Sequence, residues 1–188
     1  MKVLTVSCSD ISEYVSSIIQ KMKVDDFLPD AVVGIRTGGV YIADLFARQL
    51  GFNNGTALQI SVYRPSSTNK KKFFSSLAKF MPIKMLDFLR IIEAKMMFKS
   101  DGRSQIFDIS LPVELESRNY SKILVVDDAV DSGATLSAVL RMIESRYQGV
   151  EIKSAAITVT TDNPTVCPDY YLYKNSTLIR FPWSLDSK

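Results

Sequence analysis

The sequence predicts an α/β protein built on a doubly wound, mostly parallel sheet, of the kind that carries ligand-binding loops along one edge. Two observations lead there. Short runs rich in Val and Ile, such as "DAVVGI" and "KILVVDD", alternate with segments whose apolar residues recur at helical spacing. Glycine-bearing turns, "RTGG" and "DSGAT", come directly or within two residues after two of those runs, near the carboxyl ends of strands where such sheets bind ligands. The 188 residues suit one domain, 1–188, with a sizeable core.

The elements follow in order. "SCSDISEYVSSIIQKMK" reads as a strand end and then a helix, with Asp10 expected as N-cap and Glu13 completing a capping box. Ile11, Val15, Ile18, Ile19 and Met22 form its apolar stripe. "DAVVGI" is a buried strand and "RTGG" a tight turn. "VYIADLFARQLG" is a helix closed by Gly51. "ALQISVYR" and, further on, "IFDIS" are strands. "KILVVDD" is a strand that ends on its aspartates, and "TLSAVLRMIESRY" is the helix after it. "EIKSAAITVT" is the next strand, and the tail "YYLYKNSTLIRFPW" is extended.

Composition excludes several chemistries. The chain has no histidine, which removes Ser-His triads, Cys-His pairs and His-metal sites. Acid–base work falls to Asp, Glu, Lys or Tyr. Two cysteines, Cys8 and Cys167, are too few for a disulfide framework and suit a reducing compartment. "MKVLTVSCSD" is too short an apolar run for a signal peptide, and no uncharged run approaches the ~18 residues of a membrane span. A cytoplasmic location is expected.

The net charge of +3 is unevenly spread. Residues 64–103 hold ten Lys/Arg and three Asp/Glu, within a mildly acidic remainder. This stretch reads as a helical insertion broken at Pro82, with apolar residues nearly all round from Ile83 to Phe98. Two readings stay open: an interior or dimer-buried helix, or a basic helix facing a membrane surface or an acidic partner.

The chemistry concentrates in "ILVVDDAVDSGATL", Ile123–Leu136. Two carboxylates side by side repel each other and need a reason to coexist. The vicinal hydroxyls of a ribose supply one, and a nearby magnesium ion would offset the charge. Ser132–Thr135 then opens onto a helix N-terminus, where backbone N–H groups and two hydroxyls suit a phosphate. Gly133 permits close backbone approach. A pentose with a 5′-phosphate fits both halves. A receiver domain, which also begins with adjacent acids, needs a later Asp and Lys that "AAITVTT" does not provide.

"ILVVDDAVDSGATL" resembles the signature of type I phosphoribosyltransferases, which bind 5-phosphoribosyl 1-diphosphate (PRPP). "GIRTGGVYIADLFARQLG" is similar to the family's pyrophosphate loop and helix, "ISVYR" to the strand before its mobile loop, and "FPWS" to the xanthine-guanine branch. The resemblance implies the type I phosphoribosyltransferase fold with a small hood, here residues 164–188, and places the insertion 64–103 in the mobile-loop region.

It also implies roles. Asp127 and Asp128 hold the ribose hydroxyls and magnesium. Ser132, Gly133, Ala134 and Thr135 cradle the 5′-phosphate. Arg36, Thr37, Gly38 and Gly39 take the pyrophosphate, with a cis peptide between Arg36 and Thr37. Asp131 exchanges a proton with the purine, and Tyr63 belongs to the catalytic loop. The base pocket falls to Thr160, Thr161, Leu178, Phe181 and Trp183. Thr160 or Thr161 stands near the family's lysine, and Leu178 takes the place of its stacking aromatic.

The function implied is a magnesium-dependent transfer of the phosphoribosyl group from PRPP to a nucleobase, a 6-oxopurine first. The alternatives are a non-catalytic PRPP- or nucleotide-binding regulator, and a transferase for a non-purine acceptor. The implied partners are PRPP, a nucleobase or nucleoside monophosphate, and further copies of the chain, but no nucleic acid.

Overall fold

A computed structural model describes residues 2–52, 55–63, 108–116, 118–175 and 177–184. The insertion expected at 64–103 lies outside these described residues. The elements run β1 (Lys2–Thr5), α1 (Cys8–Val24), β2 (Ala31–Ile35), α2 (Gly38–Gln49), β3 (Leu58–Tyr63), β4 (Asp108–Ser110), α3 (Val113–Glu116), β5 (Lys122–Val130), α4 (Ala134–Arg146), β6 (Glu151–Val159), β7 (Tyr173–Lys174) and β8 (Thr177–Arg180). Among them no helix is long and apolar enough to cross a membrane.

Among the described residues, six strands form the main sheet in the order β4-β3-β2-β5-β6-β7. All its pairs are parallel except β3–β4. Strand alternation divides the buried residues between two cores. On one face Val32, Leu124, Val126, Ala155 and Ile157 pack with the stripe of α1 and with Ile42, Ala43 and Phe46 of α2. On the other, Ala31, Val33, Ile123, Val125 and Ala156 pack with Leu136, Val139 and Ile143 of α4. Helices on both faces make the sheet doubly wound, as its alternating pattern predicts.

Three local expectations are corrected. The N-cap of α1 is Ser7, not Asp10. The Ser7 hydroxyl accepts the Asp10 N–H at 3.2 Å, and the Asp10 carboxylate accepts the Ser7 N–H at 2.7 Å. Asp10 is thus the third helical residue of the box, and the helix starts earlier than expected. Helix α2 starts at Gly38, inside the turn "RTGG". β5 does not end on its aspartates: its pairing with β6 continues through Ala129 and Val130.

The tail contributes to two sheets. β7 joins the edge of the main sheet, whereas β8 pairs in parallel with β1, matching Lys2 to Thr177 and Thr5 to Arg180. Arg180, almost fully buried, donates from Nη1 to Thr5 Oγ1 at 3.0 Å. This small sheet covers one end of the first core through Ile179 and Phe181.

Phe46 is fully buried where α2 meets the sheet. Phe46→Ala should cost about 3–5 kcal/mol through lost burial and the cavity left behind. Urea unfolding followed by circular dichroism measures it, with the midpoint falling at an unchanged slope.

Candidate active site

The order β3-β2-β5-β6 brings four strand ends to one edge. Tyr63 closes β3, Arg36–Gly39 follow β2, Asp127–Thr135 span the end of β5 and the start of α4, and Thr160–Thr161 follow β6. These predicted residues, scattered in sequence, converge because parallel strands all point their carboxyl ends the same way.

The turn after β2 is held by the Arg36 N–H, which donates to the Ile60 carbonyl at 2.9 Å. The Arg36–Thr37 peptide is cis, as the resemblance implies. Arg36 and Thr37 are exposed, and Gly38 and Gly39 are buried. A Cβ on Gly38 would overlap the Asp128 carboxylate; one on Gly39 would lie 2.6 Å from the Val126 carbonyl oxygen. Only glycines let the helix start this close to β5. Thr37 makes no side-chain cap bond, which leaves the first amides of α2 to other acceptors.

Asp127 and Asp128 are half-buried. Asp127 Oδ1 accepts the Asp128 N–H at 2.9 Å. Asp128 Oδ1 accepts the Ala129 N–H at 3.0 Å, and its Oδ2 accepts the Trp183 indole N–H at 2.9 Å. Among the described residues neither carboxylate has a cation within ion-pair distance. Burial, then the charge of Asp128, push the Asp127 carboxyl well above the ordinary carboxylate range; Asp131 adds to this, and the Asp128 N–H opposes it.

Next along the chain, Gly133 starts α4 with φ of 79°, in the left-handed region that favours glycine. A Cβ there would lie 2.5 Å from the Val166 carbonyl oxygen. The turn is tied down by the Thr165 N–H to the Ser132 carbonyl at 2.7 Å, and the Ala134 N–H approaches Ser132 Oγ at 3.4 Å. Asp131 is exposed, and its Oδ1 accepts the hydroxyl of buried Thr160 at 2.7 Å. Thr161 is half-buried beside it.

The structure places the expected base-pocket residues in two groups. Thr160 meets Asp131. Leu178 and Phe181 are buried in and after β8, and Trp183 reaches Asp128. Trp183 stacks with Phe181, centroids 5.0 Å apart, and with Tyr41 at 4.9 Å. Such pairs add roughly 0.5–1.5 kcal/mol beyond burial. Tyr41 was not among the sequence candidates. Its signal was an aromatic on the solvent side of α2, beside buried Ile42 and Ala43. Among the described residues no group of three or more His, Cys, Asp or Glu side chains is placed to hold a metal alone.

An α/β protein with paired acids at the centre of a parallel sheet, between two glycine-built helix starts, is the class that fold and site define. The chain belongs to the phosphoribosyl transferase domain family, whose model matches residues 7–188. No curated protein matches it in sequence. Among solved structures it is similar to a purine phosphoribosyltransferase of Pyrococcus horikoshii, with TM-score 0.64, 20% identity, and 98% of this chain and 95% of that one covered. It is also similar to the xanthine-guanine-hypoxanthine phosphoribosyltransferase of Helicobacter pylori, with TM-score 0.68, 16% identity, and coverage of 98% and 96%. A hypothetical protein of Neisseria gonorrhoeae, solved with bound ppGpp, matches at TM-score 0.65 and 14% identity, covering 97% and 89%.

The raised carboxyl of Asp127 fixes a sign for pH dependence. The folded protein keeps this proton at pH values where the unfolded chain has lost it, so stability is full below the ordinary carboxylate range. It falls as pH rises toward and through the raised value. Asp127→Asn in chelator should therefore melt above the wild type at about pH 8, with the gap closing on acidification to about pH 4. A differential scanning calorimetry series checks this; a gap that widens in acid contradicts the assignment.

Proposed function

We propose that this chain moves the 5-phosphoribosyl group of PRPP to a nucleobase, with a 6-oxopurine as first acceptor, and releases pyrophosphate. The observation that carries the reading is the Asp127–Asp128 pair, held against the Gly38–Gly39 turn and followed by the Gly133 start of α4. It offers diol acceptors and two anion-binding helix starts at one edge. In contrast, α1 closes its own N-terminus with the Ser7–Asp10 box.

On this reading the ribose hydroxyls donate to Asp127 and Asp128, and the 5′-phosphate takes Ser132–Thr135. Pyrophosphate lies on Arg36–Gly39. Asp127 and Asp128 would also hold a magnesium ion, being two adjacent carboxylates with no cation partner among the described residues. Bound with PRPP, the ion would offset charge on the leaving group. The bond from C1 to the pyrophosphate oxygen breaks, pyrophosphate keeps the electron pair, and a base nitrogen bonds C1. The proton lost by the base goes to Asp131, whose carboxylate is oriented by Thr160. Tyr63, at the end of β3, is the residue that the resemblance assigns to the catalytic loop. Thr161, Leu178, Phe181 and the Trp183 ring bound the base.

A second reading is a PRPP- or nucleotide-binding regulator without turnover. It is favoured by the stretch that the resemblance sets near the lysine of purine branches, which carries Thr160 and Thr161, with the Thr160 hydroxyl donating to Asp131. The same observation favours a non-purine acceptor. A homo-oligomer, a partner or membrane contact through 64–103, and a cytoplasmic location belong to the proposal and rest on sequence.

Two experiments test it. Calorimetry with magnesium and PRPP should show binding weakened at least tenfold, about 1.4 kcal/mol, in both Asp128→Ala and Thr135→Val. Pyrophosphate release with a panel of bases should show turnover with a purine, reduced by about 10²–10⁴-fold in Asp131→Asn at little cost in PRPP affinity. Binding without turnover on any base selects the regulator.

A further inference from the structure

We propose that Trp183 is a positioning residue for the ribose site, holding the Asp128 carboxylate in place through its indole N–H. The proposal rests on the reading that Asp128 receives the ribose, and assigns a second role to a residue expected only to border the base.

Asp128 stands next to Asp127 on β5, and no cation among the described residues draws it inward. A carboxylate so placed turns toward water unless donors hold it. The strand supplies one donor, the Ala129 N–H on Oδ1 at 3.0 Å. Trp183 supplies the other, on Oδ2 at 2.9 Å. With both oxygens held, the plane of the carboxylate is set against Gly38, whose missing Cβ leaves it room. An ionised carboxylate offers about four acceptor sites. Two are occupied, and the others remain for a diol or cation.

The indole is itself held. It stacks with Tyr41, on the helix that begins at the glycine turn, and with Phe181, at the end of β8. The residues around it form a closed turn: the Phe181 N–H donates to Ser184 Oγ at 3.1 Å, and the Ser184 N–H to the Phe181 carbonyl at 2.9 Å. β8 is anchored to β1 by strand pairing and by the Val6 N–H to the Arg180 carbonyl at 3.1 Å. The acid is thus tied to both the hood and the pyrophosphate turn. Displacement of the hood or α2 alters the donor that Asp128 relies on.

Trp183 is the single tryptophan of the chain, so one indole N–H resonance reports this bond. In ligand-free protein that resonance should lie downfield, move toward the free-indole position in Asp128→Ala, and shift when magnesium and PRPP are added. Trp183→Phe keeps an aromatic ring and removes the donor. Its calorimetric affinity for PRPP with magnesium, measured without any base, should fall at least fivefold, and in turnover the KM for PRPP should rise by a similar factor. A resonance indifferent to Asp128→Ala overturns the proposal even if Trp183→Phe does not fold. Equal PRPP affinity in wild type and Trp183→Phe overturns the positioning role and leaves the phosphoribosyl reading intact. Wild-type protein that binds no PRPP overturns both.

Discussion

The site depends on how closely the start of α2 approaches β5. At Gly38 and Gly39 the helix lies so near the strand that an ordinary side chain would occupy the place of the Asp128 carboxylate or press on the Val126 carbonyl. That approach brings the glycine turn and the paired acids within reach of one small ligand. It also partly removes the acids from water, which raises the Asp127 carboxyl. The same helix carries Phe46 into the first core. Packing that stabilises the domain and geometry that defines the site are therefore two ends of one element.

Among the described residues, the three long helices use their N-termini differently. α1 satisfies its own first amides by reciprocal bonds between Ser7 and Asp10, and its role is to bury a stripe. α2 and α4 begin in glycine-bearing turns with no side-chain cap from their N-cap residues. Both begin at the carboxyl edge of the sheet, where amides and positive dipole ends attract anions. A cap gives local stability, and the helices at the site forgo it.

Much of this was legible in sequence because the signals are local. Strand alternation and helical stripes specified the two cores, and "VVDDAVDSGAT" placed acids, turn and helix in one short run. What was misjudged locally turned on competition between similar groups. Ser7 and Asp10 both make N-caps, and the pair resolves as one box whose first member is Ser7. β5 runs past its aspartates because β6 offers partners as far as Val130. Contacts between distant segments left no local trace: no periodicity in "TLIRFPW" announces a parallel pairing with β1 or an indole on Asp128. Tyr41 joined Trp183 only once α2 and the tail were seen side by side.

The pairing of β1 with β8 has a consequence for the order in which the molecule assembles. Thr5 and Arg180 are 175 residues apart, and closing so long a loop carries an entropic cost that local contacts do not. β2, α2 and β3 are near neighbours in sequence, whereas β1 and β8 lie near opposite ends of the described residues. Among the described residues β8 is the strand partner of β1, so β1 has no partner until the C-terminal segment is in place. Until then β1 is an open edge, the part of the nascent chain most exposed to pairing with the wrong strand.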